Sequence, residues 1–254
     1  MRGGSLGRMA STVNQSPQPR VDGRLRAPLC WLFPPRCLVC GQAGMPGRDL
    51  CAACHADLPW QGPACPRCAL PMPRTETCGA CLQAISAGSR PPLDAVHAAF
   101  DYAFPLDRLV PRLKFHRDFA AGRVLAQFMA DRFATLPRPD ATVPVPLHRA
   151  RLRQRGYDQA LELARLLAHA LDVPLRGDLL ARDTATRAQS RLDAAARQHN
   201  LRGAFHARAG SSPPAHVALV DDVMTTGATL QAAASALRAA GIARIEAWVC
   251  ARVA

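Results

Sequence analysis

Eight cysteines in four CxxC pairs constrain this chain more than any other feature. They are "CLVC" (Cys37, Cys40), "CAAC" (Cys51, Cys54), "CPRC" (Cys65, Cys68) and "CGAC" (Cys78, Cys81). Two thiolates at i and i+3 on a tight turn can face one metal ion, and two such turns complete a tetrahedral site with Zn–S near ~2.3 Å. Gly41, directly after the first pair, suits that turn. Two sites built from sequential pairs are expected; an interleaved cross-brace would use the same residues. Disulfides are the competing reading. The opening stretch has basic residues but no apolar run, so no secretory signal is expected, and a reducing compartment disfavours disulfides. Redox CxxC chemistry does not call for four pairs. A module of roughly 50 residues with few large apolar side chains buries too little to fold alone, and bound zinc supplies the missing free energy. Cys30 and Cys250 stand outside the pattern; Cys250, in "IEAWVCARV", is expected in a buried strand.

The remaining length, out of 254 residues, suffices for one α/β domain. Residues 1–26 are polar and rich in Gly, Ser, Pro and Arg, so a disordered tail is expected there. The cysteine module is placed at 30–86, a linker at 82–92 and the α/β domain at 93–254. Net charge is +13, and Lys114 is the only lysine. Such an arginine bias reads first as genomic composition. The positive excess nevertheless suits phosphate-rich partners, either nucleic acid or a polyphosphorylated small molecule. No apolar run approaches the ~18 residues of a membrane span, and a cytoplasmic protein is expected.

Past the linker, "AVHAAFDY" alternates as a strand or hairpin does. Residues 105–136 read as a short helix, a break and a longer helix, the second with Val124, Leu125, Phe128, Met129 and Phe133 on one face. "ATVPVP" is extended, because each proline restrains itself and its predecessor, and it ends in a loop. "QALELARLLAHAL" forms a helix with Leu163, Leu166, Leu167 and Leu171 inward. "HVALV" is a buried strand, "GATLQAAASALRAAG" a helix closed by Gly241, and "IARIEAWVCARV" the last strand. Strands alternating with helices predict an α/β fold with a mainly parallel sheet.

The chemistry gathers where "HVALV" meets the next helix, since ligands of open α/β sheets bind beyond the carboxyl ends of strands. That edge carries Asp221, Asp222, Val223, Met224, Thr225, Thr226, Gly227, Ala228 and Thr229. Free N–H groups at the helix start can hold a phosphate. The threonines add hydroxyl donors, and Gly227 lets the backbone close around the anion. Two carboxylates repel that phosphate, so they are expected to accept hydrogen bonds from sugar hydroxyls one step away. Together these residues predict a ribose 5-phosphate site.

"VALVDDVMTTGATL" resembles the PRPP-binding motif of type I phosphoribosyltransferases. With "PVPLHRARLRQRGYDQA", "TRAQSRLDAAARQHNLRGAF" and the preceding CxxC module, residues 30 to 254 resemble the ComF family of competence proteins. The resemblance implies a type I phosphoribosyltransferase fold, a mainly parallel sheet flanked by helices, behind a double zinc ribbon. It implies that Asp221 and Asp222 bind the ribose 2′- and 3′-hydroxyls and that Met224 to Thr229 cradle the 5′-phosphate. Pro146, Leu147 and His148 fall where the family has its pyrophosphate loop. Arg149, Arg151, Arg153, Arg155, Gly156, Tyr157 and Gln159 fall in its mobile hood; Asp158 stands where many relatives have Asn.

If the protein is an enzyme, catalysis comes from positioning PRPP and neutralising its departing pyrophosphate, with Mg²⁺ and positive side chains. Arg149, Arg153, Arg155 and Lys114 are the candidates, with Arg187 behind them. For any single arginine a solvated surface charge is the competing role, and for Lys114 a solvent-facing helix position. His116, His148 and His199 are possible acids or bases, with surface or hinge roles competing. Nothing in the hood spells out an acceptor. Two further readings stand beside the enzyme: a competence factor handling single-stranded DNA, and a zinc module serving as scaffold or protein-docking surface. Against the former, aromatics make up 5% of the chain, and single-strand binders use stacking platforms. Trp60 is a candidate for packing between the two zinc knuckles.

Overall fold

The computed structural model describes residues 34–89, 91–182, 203–208 and 213–254. The expected tail, Cys30, Trp31, Arg187, His199 and most of "TRAQSRLDAAARQHNLRGAF" lie outside the described residues. The described residues from 35 onward form one compact unit.

The cysteine module contributes two short helices, α1 (Ala52–Ala56) and α2 (Gly79–Ser86). The second takes the first half of the segment expected as a linker, because "LQAIS" contains good helix formers and the turn at Gly88, with φ +71°, comes only after it. The chain then runs β1 (Ala95–Asp101), α3 (Leu106–His116), α4 (Phe119–Phe133), β2 (Ala141–Pro144), α5 (Arg149–Arg155) and α6 (Gln159–Leu171). After β3 (Leu180–Arg182) and β4 (Phe205–Ala207) come β5 (His216–Met224), α7 (Ala228–Ala239) and β6 (Arg244–Arg252). Helix α5 occupies what reads in the sequence as a loop. His148 Nδ1 caps it by accepting from the Ala150 N–H, and Gly156, at φ +80°, ends it.

A parallel sheet runs in the order β1-β6-β5-β2, and β3 and β4 form a separate antiparallel pair. The two central strands are buried on both faces, as parallel strands covered by helices must be. One face carries Ala218, Val220, Trp248 and Cys250 under α3, α4 and α6, with the Val124–Phe133 stripe and Leu163 and Leu167 turned inward. The other carries Val217, Leu219, Ala247 and Val249 under α7 and the β3–β4 pair.

The cysteine module seals the β1 edge. Backbone N–H groups of Val96 and Asp101 donate to the carbonyls of Pro66 and Pro59, and Gln61 N–H donates to Ala99. A bare strand edge would leave those groups unpaired. Trp60 lies against Phe100 (4.7 Å) and Phe128 (5.9 Å), so it packs onto the α/β core and not between the knuckles. Burial explains the difference: Trp60 gains two aromatic rings of the core as packing partners.

Candidate functional site

The cysteines resolve into two quartets, Cys37/Cys40/Cys51/Cys54 and Cys65/Cys68/Cys78/Cys81, with sulfurs within 4.8 Å of one another in each. The pairing is therefore sequential, without a cross-brace. Cys40 and Cys51 Sγ stand 3.6 Å apart, and Cys68 and Cys78 Sγ 3.7 Å. Tetrahedral thiolates around zinc at ~2.3 Å would be separated by about 3.8 Å, so both quartets fit the ion. They repeat one backbone pattern. Gly41 N–H donates to Cys37 and Cys37 N–H to Gln42; Ala69 N–H donates to Cys65 and Cys65 N–H to Leu70. Burial opposes the Cys37 and Cys65 thiolates, but N–H groups aimed at their sulfurs outweigh it and bring them to about 6 and about 7. Such sulfurs are ready metal ligands.

At the far side of the sheet, β5 carries Asp221 and Asp222 in its last turn of pleat. Successive strand side chains leave opposite faces. Asp222, 3% exposed, lies on the α3–α6 face, where Lys114 Nζ meets its Oδ2 at 3.0 Å. The lone lysine thus faces the site and not solvent. Asp221 lies on the other face, in the field of Arg182 at the end of β3. Burial first, then the neighbouring Asp222 charge, pushes the Asp221 carboxyl well above the usual range.

Beyond the carboxylates, Val223 is half-buried and Met224 buried, while Thr225 and Thr226 are exposed. Gly227, at φ +77°, caps α7; a Cβ there would meet Met224 Cε at 2.5 Å. Among the described residues no side chain caps α7 and no acid sits in its first turn. Ala228 N–H reaches Thr226 Oγ at 3.4 Å, and Thr229 is half-buried on the first turn.

The segment Pro146–His148 leaves β2 beside β5, and Val145 N–H still donates to Val220. Asp158 anchors it: one carboxylate oxygen accepts from Leu147 N–H at 2.9 Å, the other caps α6 through Ala160 and Leu161. Burial pushes the Asp158 carboxyl up, against those three N–H groups. A neutral Asn would offer only one oxygen for both tasks. The sequence points to Asp158 as a departure but not to this bridge.

On α5, Arg149 and Arg153 are exposed and Arg151 half-exposed. Arg155 is placed otherwise. Its guanidinium lies over the Phe115 ring at 5.4 Å and donates to Gln159 Oε1 at 3.0 Å. Tyr157 OH donates to the Leu113 carbonyl, locking the end of the hood onto α3. Sequence reasoning passes over Arg182 and also Arg252, which donates to Cys68 O (3.1 Å) and Met224 O (3.4 Å) and so ties the second quartet to the end of β5. No local spacing signals either.

A double zinc ribbon domain matches residues 29–82 and a phosphoribosyl transferase domain matches residues 120–254. Fold and sites therefore define a phosphoribosyltransferase-type domain fronted by two zinc ribbons. The chain is 34% identical to competence protein F of Haemophilus influenzae, over 85% of this chain and 96% of that protein. It is 34% identical to the DNA utilization protein YhgH of Salmonella typhi, over 87% and 95%. Competence protein ComFC of Bacillus subtilis is 26% identical over 76% and 79%. The chain belongs to this ComF/YhgH family. Among the described residues no helix is long and apolar enough to cross a membrane.

Proposed function

We propose that the β5–α7 junction binds PRPP in a protein that supports DNA uptake or utilization. The observation that carries the site is the junction itself: two carboxylates, then a glycine at φ +77° against Met224, then a helix start without a side-chain cap. In this reading the 5′-phosphate lies on residues 225–229 and the ribose hydroxyls at Asp221 and Asp222. The pyrophosphate, carrying Mg²⁺, faces Pro146–His148. Lys114 must yield Asp222 to the sugar, which leaves its ammonium beside the developing charge.

Phosphoribosyl transfer breaks the bond from ribose C1 to pyrophosphate and forms one from C1 to an acceptor. Lys114, Arg149 and Arg153 would neutralise the departing pyrophosphate, whereas Arg155 is held against Phe115 and Gln159. Calorimetric titration with PRPP and Mg²⁺ tests the site, with ribose 5-phosphate and pyrophosphate as controls. Mg²⁺-dependent binding lost in Asp221→Asn/Asp222→Asn supports it; unchanged affinity in a folded double variant would falsify it.

A second reading has the site bind PRPP as a regulatory ligand in a factor that handles single-stranded DNA without catalysis. The arginine-rich α5, which carries no acid, favours it. Pyrophosphate release from PRPP with a nucleobase present separates the two.

A further inference from the structure

Among the described residues three phenylalanines are more than half exposed, and two of them flank the turn between α3 and α4: Phe115 (64%) and Phe119 (52%). Exposing large rings costs free energy that a solvated side chain would not. They form a group with the hood. Phe119 meets Tyr157 edge-on at 5.6 Å, and Arg155 covers one side of Phe115 at 5.4 Å. Arg117, between the two rings, sits at φ +54°, where a side chain other than glycine is disfavoured. Its guanidinium donates to Arg155 O at 2.9 Å and occupies the space a Cβ on Gly156 would fill. The chain therefore holds an arginine, not a glycine, at a left-handed position so that it meets the hood.

Charge points the same way. From His148 to Tyr157 there are four arginines and no acid, and the next carboxylate, Asp158, is committed to three N–H groups. Exposed ring faces interleaved with arginines match the chemistry of single strands: bases stack on the rings and phosphates meet the guanidiniums. A duplex keeps its bases stacked inside and cannot use the rings. The low aromatic content is thus offset by placing two rings together.

We propose that Phe115, Phe119, Arg117 and Arg155 form a stacking platform for single-stranded DNA, adjoining the strand-end site through Lys114. This deepens the DNA-handling reading above and does not depend on PRPP turnover. The test measures anisotropy of a labelled oligo-dT with the full zinc-loaded chain across a salt series, with duplex DNA and heparin as controls. Single-strand affinity is expected to fall roughly 10- to 100-fold in Phe115→Ala/Phe119→Ala. Arg117→Gln is expected to flatten the salt dependence by about one phosphate contact. Both variants are checked for native melting and metal content, and Phe115→Tyr/Phe119→Trp is expected to restore binding. No oligo-dT binding by the native chain, equal binding of duplex and heparin, or unchanged affinity in the folded double variant would each overturn the proposal. Titration of the same samples with PRPP keeps the two readings apart, since the strand-end site can succeed or fail independently.

Discussion

The cysteine module and the strand-end site are built by opposite means. In the module, ligands three residues apart lie on the same turn, so local sequence makes the site and metal holds the turn. At the strand end, the sheet is made first by burial. Residues 108 positions apart, Lys114 and Asp222, then meet because the fold brings α3 onto β5. A metal-made region fails by losing its ion; a fold-made region fails one contact at a time.

The largest effect is expected where that difference is sharpest. Cys37→Ser/Cys40→Ser and Cys65→Ser/Cys68→Ser should each lower zinc content from two equivalents to one, measured by mass spectrometry of the metal. Each forfeits a binding free energy on the order of 10 kcal/mol, so the module should become protease-sensitive. The α/β sheet should persist in both, since its core is buried under helices. Finding both ions retained would mean the quartets do not divide as the sulfur distances indicate.

A smaller effect is expected from Gly227→Ala. The methyl group enters a left-handed position and must displace Met224 Cε. The cost to stability is about 1 kcal/mol, or roughly 2–4 °C in melting temperature. PRPP affinity should drop about tenfold, because the loop can no longer close on the phosphate; that factor corresponds to about 1.4 kcal/mol. Zinc content should not change. An affinity equal to the native one would show that the glycine serves only the turn.

What the sequence makes legible follows the same division. The CxxC pairs and the run from Asp221 to Thr229 are contiguous, so spacing and residue type expose them. The apolar periodicity places α4, α6 and the two central strands, because a buried stripe repeats within a few residues. Long-range contacts leave no such trace. Asp158 reads as a departure from a family pattern, yet its two oxygens join the 146–148 loop to α6. Lys114 reads as a candidate with a solvent-facing helix position competing, and only the packing of α3 shows it turned to Asp222. Nothing local singles out Phe115 and Phe119, because Tyr157 and Arg155 arrive beside them from 36 or more positions away. Helix α5 is missed because its seven residues have no buried face to set a period.

The two regions nevertheless touch through one side chain, and removing it gives the smallest and most informative effect. Arg252 donates to the carbonyls of Cys68 and Met224, the latter being the last residue of β5 before the proposed phosphate loop. Val253 N–H also donates to Met224, so the backbone holds that residue even without the arginine. Arg252→Met keeps the aliphatic stem and loses the donors. Two hydrogen bonds from a charged group to backbone carbonyls are worth about 1.5–3 kcal/mol each at most, and the guanidinium is only partly buried. PRPP affinity is therefore expected to weaken about threefold to tenfold with both zinc ions retained. If Cys65→Ser/Cys68→Ser weakens PRPP binding by a similar factor and Cys37→Ser/Cys40→Ser does not, the second quartet acts on the site through Arg252. Equal losses from both quartets would mean that the module acts as one body through the β1 edge. No loss from any of the three variants would make the regions independent, joined by contact but not by function.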